Sequence, residues 1–519
     1  MKNSLGLDAS TQSLSAVLVD WTDGEVLGSW SVNFGADLPR YNHPSGFLPG
    51  GEAGEVHANP LLWLDALNLL LDRMKEEGVD FSSIASVSGS GQQHGSVYLS
   101  GDFGQVLSSL DETAPLAGQI GACLTRETSP IWMDTSTGPE CREITDALGG
   151  ADEVRKRSGS EAIERFTGPQ IRRFYKTQPK AYAETASIHL VSSFLASVLS
   201  GRPAAIDYGD GAGMNLMNLA AGEWDDALLT ATAPDLRAKL PEVEPSASVA
   251  GDISPYFVKR YGFSPKCQSL LWSGDNPCSL VGMGASRAGK MVISLGTSDT
   301  LFAAMDEPLT DPRGFGHAFG NPMGGFMSLI CFRNGSLARE AIKDEYGLSW
   351  NDFGVDGLSR TPVGNDGRVI IPFVGNEITP RVDSTSAQAP GWKPTAEEWA
   401  RGIVEGQFLN MKLHSRWLGL DSEGEILLTG GASENDGIAQ VVADVFGKPV
   451  RRLAVSGSAG LGAAIRAAVA TGADLAFLED KLSAPADGRD LAPVSEHVSI
   501  YQDLEKTFAE ALSDRFNIS

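Results

Sequence analysis

The sequence predicts an α/β protein of two domains, and three observations carry that prediction. Strand-like apolar runs alternate with helical patterns along the whole chain, which implies layers of helix and sheet. At 519 residues the chain is long enough for two or more separate cores. One pattern also occurs twice: "SLGLDASTQSLSAVLVD" near the start and "VISLGTSDTLFAAMDE" at 292–307. Each reads apolar, then Leu-Gly, then small polar residues, then apolar again. Two such strand-turn-strand units suggest two related domains facing each other, with the active cleft between them.

The first run reaches Gly6 and Asp8 and then turns through small hydroxyl residues. A buried carboxylate is costly without compensation. A turn of small polar residues offers N–H groups to a phosphate or a metal. The plainer alternative is a hairpin with Asp8 as its turn residue. Residues 34–56 are rich in Gly and Pro and lack periodicity, so they read as a long loop over a site. "NPLLWLDALNLLLDRMKEEG" predicts a helix capped by Asn59, with Pro60 in its first turn and Gly78 ending it. "SIASVSGSG" follows as a buried strand ending in glycines. "STSAQAPGWKP", 384–394, is a second long loop. "EILLTGGASEND" is again a strand running into glycines, and "GIAQVVADVFG" is the helix after it. "AGLGAAIRAAVATG" is a small-residue helix suited to close packing on a neighbour.

Composition removes several classes. A net charge of −25 speaks against nucleic acid and anionic membrane, both of which want a basic face. It leaves an anionic small molecule open, because local N–H groups and a divalent cation outweigh a screened distant field. The five cysteines form no CxxC pair, which argues against a disulfide framework or a zinc site and suits a reducing cytoplasm. The first residues carry no basic-then-apolar leader, and no stretch approaches the roughly 18 apolar residues of a membrane helix. "GASRAGKM" nearly spells a Walker A loop, but Met291 stands where a Ser or Thr must bind magnesium, and a strand follows instead of a helix. "GSGQQHG" and "GSAGLG" both miss the dinucleotide fingerprint.

Eleven short stretches keep one order along the chain: "DASTQ", "SGSGQQHGSVY", "IWMDTST", "ERFTGPQI", "LVSSFLAS", "IDYGDGAGMNL", "SGDNPCSLVGM", "SLGTSDTLF", "CFRNGSL", "EGQF" and "TGGASEND". Through them the sequence resembles the FGGY family of carbohydrate kinases, and within it the eukaryotic branch that phosphorylates D-xylulose. "IRRFYKTQPKAY" also falls with that branch. The resemblance implies two actin-like (ribonuclease H-like) ATPase domains with a central cleft. The N-terminal domain, 1–287, would carry the sugar site and first phosphate loop, and the C-terminal domain, 288–519, the nucleotide site. It implies ATP and Mg2+ as cofactors, a cytoplasmic setting, no nucleic-acid or membrane partner, and room for a homodimer.

The family roles fall on particular residues. The resemblance makes Asp275 the base that takes the proton of the attacking hydroxyl, and Asn276 its sugar-binding neighbour. A turn residue before Pro277 is the alternative for Asp275. His94 and Gln93 become sugar partners, since a neutral imidazole both donates and accepts; the alternative for His94 is a satisfied core histidine. Arg165 becomes a fork of donors for several hydroxyls. Its alternative is a salt bridge with Glu161 or Glu164 on a helix face. Asp8 would help place magnesium, usually through water, with Thr11 and Gln12 completing the turn. Gly296, Thr297 and Ser298 would hold the β- and γ-phosphates. Gly430, Gly431, Ala432 and Asn435 would lie near base and ribose, where small residues let backbone approach a flat ring. Trp350 would stack on adenine, or simply pack. A relative acting on another ketose or polyol, such as ribulose or glycerol, remains open, as does an actin-like or chaperone-like ATPase that binds protein. Asp275, His94 and Arg165 favour a sugar kinase over the latter.

Overall fold

The computed structural model describes residues 2–419, 424–453, 457–484 and 489–518. The chain forms two compact units. The first comprises Met1–Ser286, Ala318–Phe326 and Ser456–Ser483; the second comprises Arg287–His317, Met327–Val455 and Ala484–Ser519. Neither is one continuous segment.

In the first unit, β1 (Asn3–Ala9), β2 (Ser13–Asp20) and β3 (Glu25–Asn33) form an antiparallel meander. Helix α1 (Pro60–Glu76) follows, with the Asn59 side chain accepting from the Leu61 N–H and Gly78 in the left-handed region at φ 84°. Its buried face includes Leu62, Trp63, Leu67, Leu70 and Leu71. Strand β4 (Ile84–Gly91) then pairs parallel to β1, as a return through a helix requires. Helix α2 (Val191–Ser200) is buried along its whole length. Short strands β5 (Val249–Asp252) and β6 (Gln268–Leu270) extend the sheet to the order β5-β6-β4-β1-β2-β3. Helix α3 (Asp275–Gly282) leaves the end of this sheet.

The second unit repeats the plan. β7 (Lys290–Leu295) and β8 (Asp299–Met305) form an antiparallel hairpin, β9 (Phe326–Phe332) follows, and helix α4 (Ser336–Glu345) comes next. Helix α5 (Ala396–Ser415) starts at a capping box of Thr395 and Glu398. β10 (Glu425–Thr429) pairs parallel to β7, α6 (Asp436–Phe446) follows, and β11 (Val450–Arg452) adds on beyond β10. The strand order β9-β8-β7-β10-β11 matches β3-β2-β1-β4-β6. The repeated hairpin read in the sequence is therefore a repeated sheet.

The small-residue helix α7 (Ser458–Ala470) returns to the first unit and packs on β1, β4 and α3. The contacts are at backbone distance. A Cβ on Gly6 would lie 2.0 Å from the Gly460 carbonyl oxygen. A Cβ on Gly282 would lie 1.9 Å from the Ser458 oxygen, and one on Gly462 would lie 1.9 Å from the Cys278 oxygen. Only glycine fits these crossings. Residues 34–56 contain a short helix, Phe34–Asp37, and press on the Thr11 turn, where a Cβ on Gly46 would meet the Thr11 oxygen at 2.1 Å.

Candidate active site

In the first unit the chemistry gathers at the ends of β1 and β4. Asp8 lies within β1, in register with Ser15 on β2 and Ser90 on β4, so it is a strand residue and not the turn residue of a simple hairpin. Its Oδ1 is buried with no hydrogen-bond partner in the protein. Burial lifts its carboxyl to about 6, partly offset by the Ser90 hydroxyl. Both polar atoms of the Gln92 amide and the Gln93 Nε2 are likewise buried and unpartnered. Each such group costs about 1–3 kcal/mol unless something bonds to it. A cluster of them at one strand end marks a site for polar ligands.

Asp275 is the first residue of α3, not a turn residue ahead of it. Burial first, and then the charge of Asp8, lift it to about 7 against the backbone N–H groups of Asn276 and Gln93, which work the other way. Asn276 is largely spent inside the protein. Its backbone N–H donates to Asp275 Oδ1 at 2.8 Å, and its Nδ2 donates to Gln93 Oε1 at 2.8 Å and Asp275 Oδ1 at 3.1 Å. Its own Oδ1 is the atom these bonds do not commit.

His94 sits just past β4 with φ at 70°, a left-handed conformation that costs a non-glycine residue roughly 1–3 kcal/mol and clusters at functional sites. Its Nδ1 bonds the Gly213 carbonyl at 2.7 Å, so that nitrogen carries the proton. Burial drives its pKa down to about 3, with Arg165 adding to the effect. The imidazole is therefore neutral and offers Nε2 as an acceptor only. Phe166 flanks it at 4.6 Å between ring centroids. The Arg165 guanidinium lies 5.5 Å from the centre of the Phe166 ring. Residues 161–166 precede the helix Thr167–Thr177, so Arg165 does not lie on a helix face; Arg155 reaches Glu161 at 2.8 Å.

Thr11 is partly buried and Gln12 exposed at the β1–β2 turn. The Thr11 hydroxyl accepts from the indole N–H of Trp132 at 2.8 Å. Trp132 is 44 % exposed, which is unusual for an aromatic ring beside buried polar groups. The sequence offers only its place in "IWMDTST" as a signal, with no role attached.

In the second unit a cavity of about 640 Å³ is lined by Gly296, Thr297, Trp350, Gly431, Ala432 and Asn435, together with Ser336 and Arg339. Six of the residues read as nucleotide contacts thus share one cavity. Thr297 and Ser298 are exposed at the β7–β8 turn. Gly430 serves the backbone instead. At φ 91°, its Cβ would lie 2.3 Å from the Leu295 oxygen, so it joins the end of β10 to the end of β7. Gly431 has open space over its Cα, as a site that admits a flat ring requires. Asn435 caps α6, its Oδ1 accepting from the N–H groups of Gly437 and Ile438, which leaves its Nδ2 for a ligand. Trp350 is 46 % exposed, so it is not simply packed. Sequence reasoning misses Arg339 and Asp299. Arg339 is fully buried, 3.3 Å from Asp299 and 2.9 Å from Gln407, and braces the start of β8 just past the β7–β8 turn. Burial lifts Asp299 to about 6.

The architecture and residues define a two-unit kinase fold of the actin-like class. The FGGY family of carbohydrate kinases matches through its N-terminal domain over residues 123–282 and its C-terminal domain over 291–471. The chain is 42% identical to a xylulose kinase of Rattus norvegicus, covering 98% of this chain and 96% of that one. It is 40% identical to xylulose kinase 2 of Arabidopsis thaliana, covering 89% and 86%. The crystal structure of gluconate kinase from Lactobacillus acidophilus superposes with a TM-score of 0.81 at 20% identity, over 99% of both chains. The chain belongs to the FGGY family of carbohydrate kinases. It is an enzyme that takes a sugar and ATP as substrates, which sets aside the protein-binding ATPase.

Magnesium can be tested against these residues. Among the described residues no group of three or more His, Cys, Asp or Glu could hold a metal ion. The unpartnered Oδ1 of Asp8 is a hard oxygen donor of the kind Mg2+ takes alongside phosphate oxygens and water. The residues fit an ion carried mainly by the nucleotide. No helix among the described residues is long and apolar enough to cross a membrane.

Proposed function

We propose that this carbohydrate kinase transfers the terminal phosphoryl group of MgATP to the carbon-5 hydroxyl of D-xylulose, giving D-xylulose 5-phosphate. The observation that carries the choice of sugar is the 42% identity with the rat xylulose kinase along nearly the whole chain. A 20% likeness shared with a gluconate kinase speaks for the fold alone.

Phosphoryl transfer needs positioning, charge neutralisation and a group that takes the hydroxyl proton. Asp275 takes that proton as the sugar oxygen bonds to the γ-phosphorus and the bond to ADP breaks. A carboxyl lifted to about 7 suits this role, because a base is most effective with a pKa near the working pH. His94 Nε2 accepts from one sugar hydroxyl, Arg165 and Gln93 Nε2 donate to others, and Asn276 offers its Oδ1. Trp132 supplies an apolar face over the Thr11 turn. Gly296, Thr297 and Ser298 cradle the phosphates, and Trp350, Gly431, Ala432 and Asn435 receive the nucleoside. Asp8 would hold Mg2+ through water, with Thr11 and Gln12 shaping its turn. Bound Mg2+ supplies neutralisation of the phosphate charge. We take residues 1–287 to serve the sugar and residues 288–519 the nucleotide. Nucleic acid and membrane have no part in this reading; it places the enzyme in the cytoplasm and is compatible with a homodimer.

The test is a coupled ADP-release assay with D-xylulose, D-ribulose, L-ribulose, gluconate and glycerol at matched concentrations. The proposal expects kcat/KM for D-xylulose to exceed the others by at least about tenfold, the scale of one well-placed hydrogen bond. A higher value for any other sugar overturns it.

A further inference from the structure

The backbone just before Asp275 is gripped from two sides. A Cβ on Gly274 would lie 2.5 Å from Gln93 Cγ and 2.8 Å from Asp210 Oδ1. Gln93 is already tied to Asn276. Asp210 comes from "IDYGDGAGMNL", the stretch whose Gly213 carbonyl holds His94 Nδ1. It is 1 % exposed. Its own N–H donates to Asp207 Oδ1 at 2.6 Å, and its Oδ2 accepts from the Ser192 hydroxyl at 2.5 Å. Asp207 is anchored in turn by the hydroxyls of Ser273, at 2.8 Å, and Ser246, and lies 3.7 Å from Arg466. Asp210 Oδ1, the atom against Gly274, is buried and has no partner in the protein.

We propose that Asp210 is a positioning residue for Asp275: locked by Ser192 and the Asp207 loop, its carboxyl is the wall against which Gly274 seats, and so fixes the place and the solvation of the base. The proposal rests on the reading of Asp275 as that base. The charged groups facing Asp210 are Asp207, Asp275 and Arg466. Burial first, then the charges of Asp207 and Asp275, hold Asp210 well above the ordinary carboxylate range, against the pull of Ser192 and Arg466. Asp210 is thereby held toward its un-ionised form, while the backbone N–H groups that face Asp275 favour its ionised one. Adjoining carboxyls whose surroundings push them apart in this way divide their roles.

The test compares pH profiles of kcat on D-xylulose for Asp210→Ala, Ser192→Ala and Asp210→Asn, each first checked for folding by circular dichroism. In Asp210→Ala, water gains access behind Gly274. The acidic limb should move to lower pH by about half a unit or more, and the plateau should fall by at least about tenfold with sugar KM little changed. Ser192→Ala, which leaves the site filled, should move the limb the same way by less. Asp210→Asn is neutral and isosteric and should restore both the limb and the plateau. An unmoved limb in Ser192→Ala overturns the proposal even where Asp210→Ala does not fold. A limb displaced by Asp210→Asn overturns it too, since Asp210 would then be charged. Asp275→Asn is the control. If it turns over normally the base assignment itself fails, whereas an inactive Asp275→Asn beside a normal Asp210→Ala removes only the positioning role.

Discussion

Asp275 ionises near 7 chiefly because it is buried, with Asp8 as the second cause. kcat/KM for the sugar should therefore fall on the acid side of an apparent pKa near that value. His94, held neutral down to about 3, adds no limb of its own in that range. Asp275→Asn keeps the shape but takes no proton at neutral pH, so its kcat should drop by about 10²–10⁴ while sugar affinity changes little. Steady-state kinetics checks this, and near-normal turnover refutes the role. Stability should move in the opposite sense. The folded state holds a proton on Asp275 that the unfolded chain releases near pH 4, so the wild-type protein loses stability as pH rises from about 4 to about 7, by up to roughly 1.4 kcal/mol per unit of elevation. Asp275→Asn removes that loss. Thermal melts without ligands should show the variant equal to wild type near pH 4 and more stable above pH 7; the reverse order rejects the assignment. His94→Ala and Arg165→Ala should raise KM for the sugar and leave KM for ATP nearly unchanged. Each lost hydrogen bond is typically worth about 0.5–1.5 kcal/mol, or more where Arg165 supplies the charge.

Helix α7 carries none of the proposed catalytic groups, yet it seats both carboxylate-bearing elements. Gly460 lies against β1 beside Asp8, and Gly462 and Ser458 meet α3, the helix that begins with Asp275. Gly282→Ala and Gly462→Ala each drive a methyl group to 1.9 Å from a backbone oxygen, an overlap no side-chain rotation relieves. Each should cost about 1–3 kcal/mol by denaturant titration, as overpacking does. Each should also lower kcat more than KM for ATP, because the element displaced is the one that holds the base. A variant with unchanged midpoint and turnover would show that the crossing relaxes freely.

Over the whole molecule, a net charge of −25 makes like-charge repulsion the main long-range term. Many ion pairs are exposed, such as Lys506 with Asp503 and Lys2 with Asp23, and pairs of that kind contribute about 0–1 kcal/mol. Screening the repulsion should outweigh screening the pairs, since the Debye length falls to about 8 Å at physiological ionic strength. Melting temperature should therefore rise by about a degree or more between low salt and about 0.3 M NaCl. A fall across that range in differential scanning fluorimetry would mean that surface pairing is the larger effect.

What the sequence determined by itself is local or repeated. The cap at Asn59, the left-handed stop at Gly78, the two Leu-Gly hairpins and the strand-to-glycine runs each follow from short-range preference or from an internal copy, and each stands where it was read. The ordered motifs were legible for the same reason, and the family followed from them. The tertiary structure decided what depends on distant neighbours. Nothing in "AGLGAAIRAAVATG" says which strand or helix it will touch; its glycines acquire meaning only against Gly6 and Gly282, far away in the chain. Asp210 carries no reading in the sequence until Gly274 is laid against it. Asn276 and Asn435 look like free polar groups until Gln93 and the start of α6 claim part of their hydrogen bonding. The proton affinities of Asp8, Asp275 and His94 are set by burial and by neighbouring charge, and those are properties of the folded surroundings, not of the residue type.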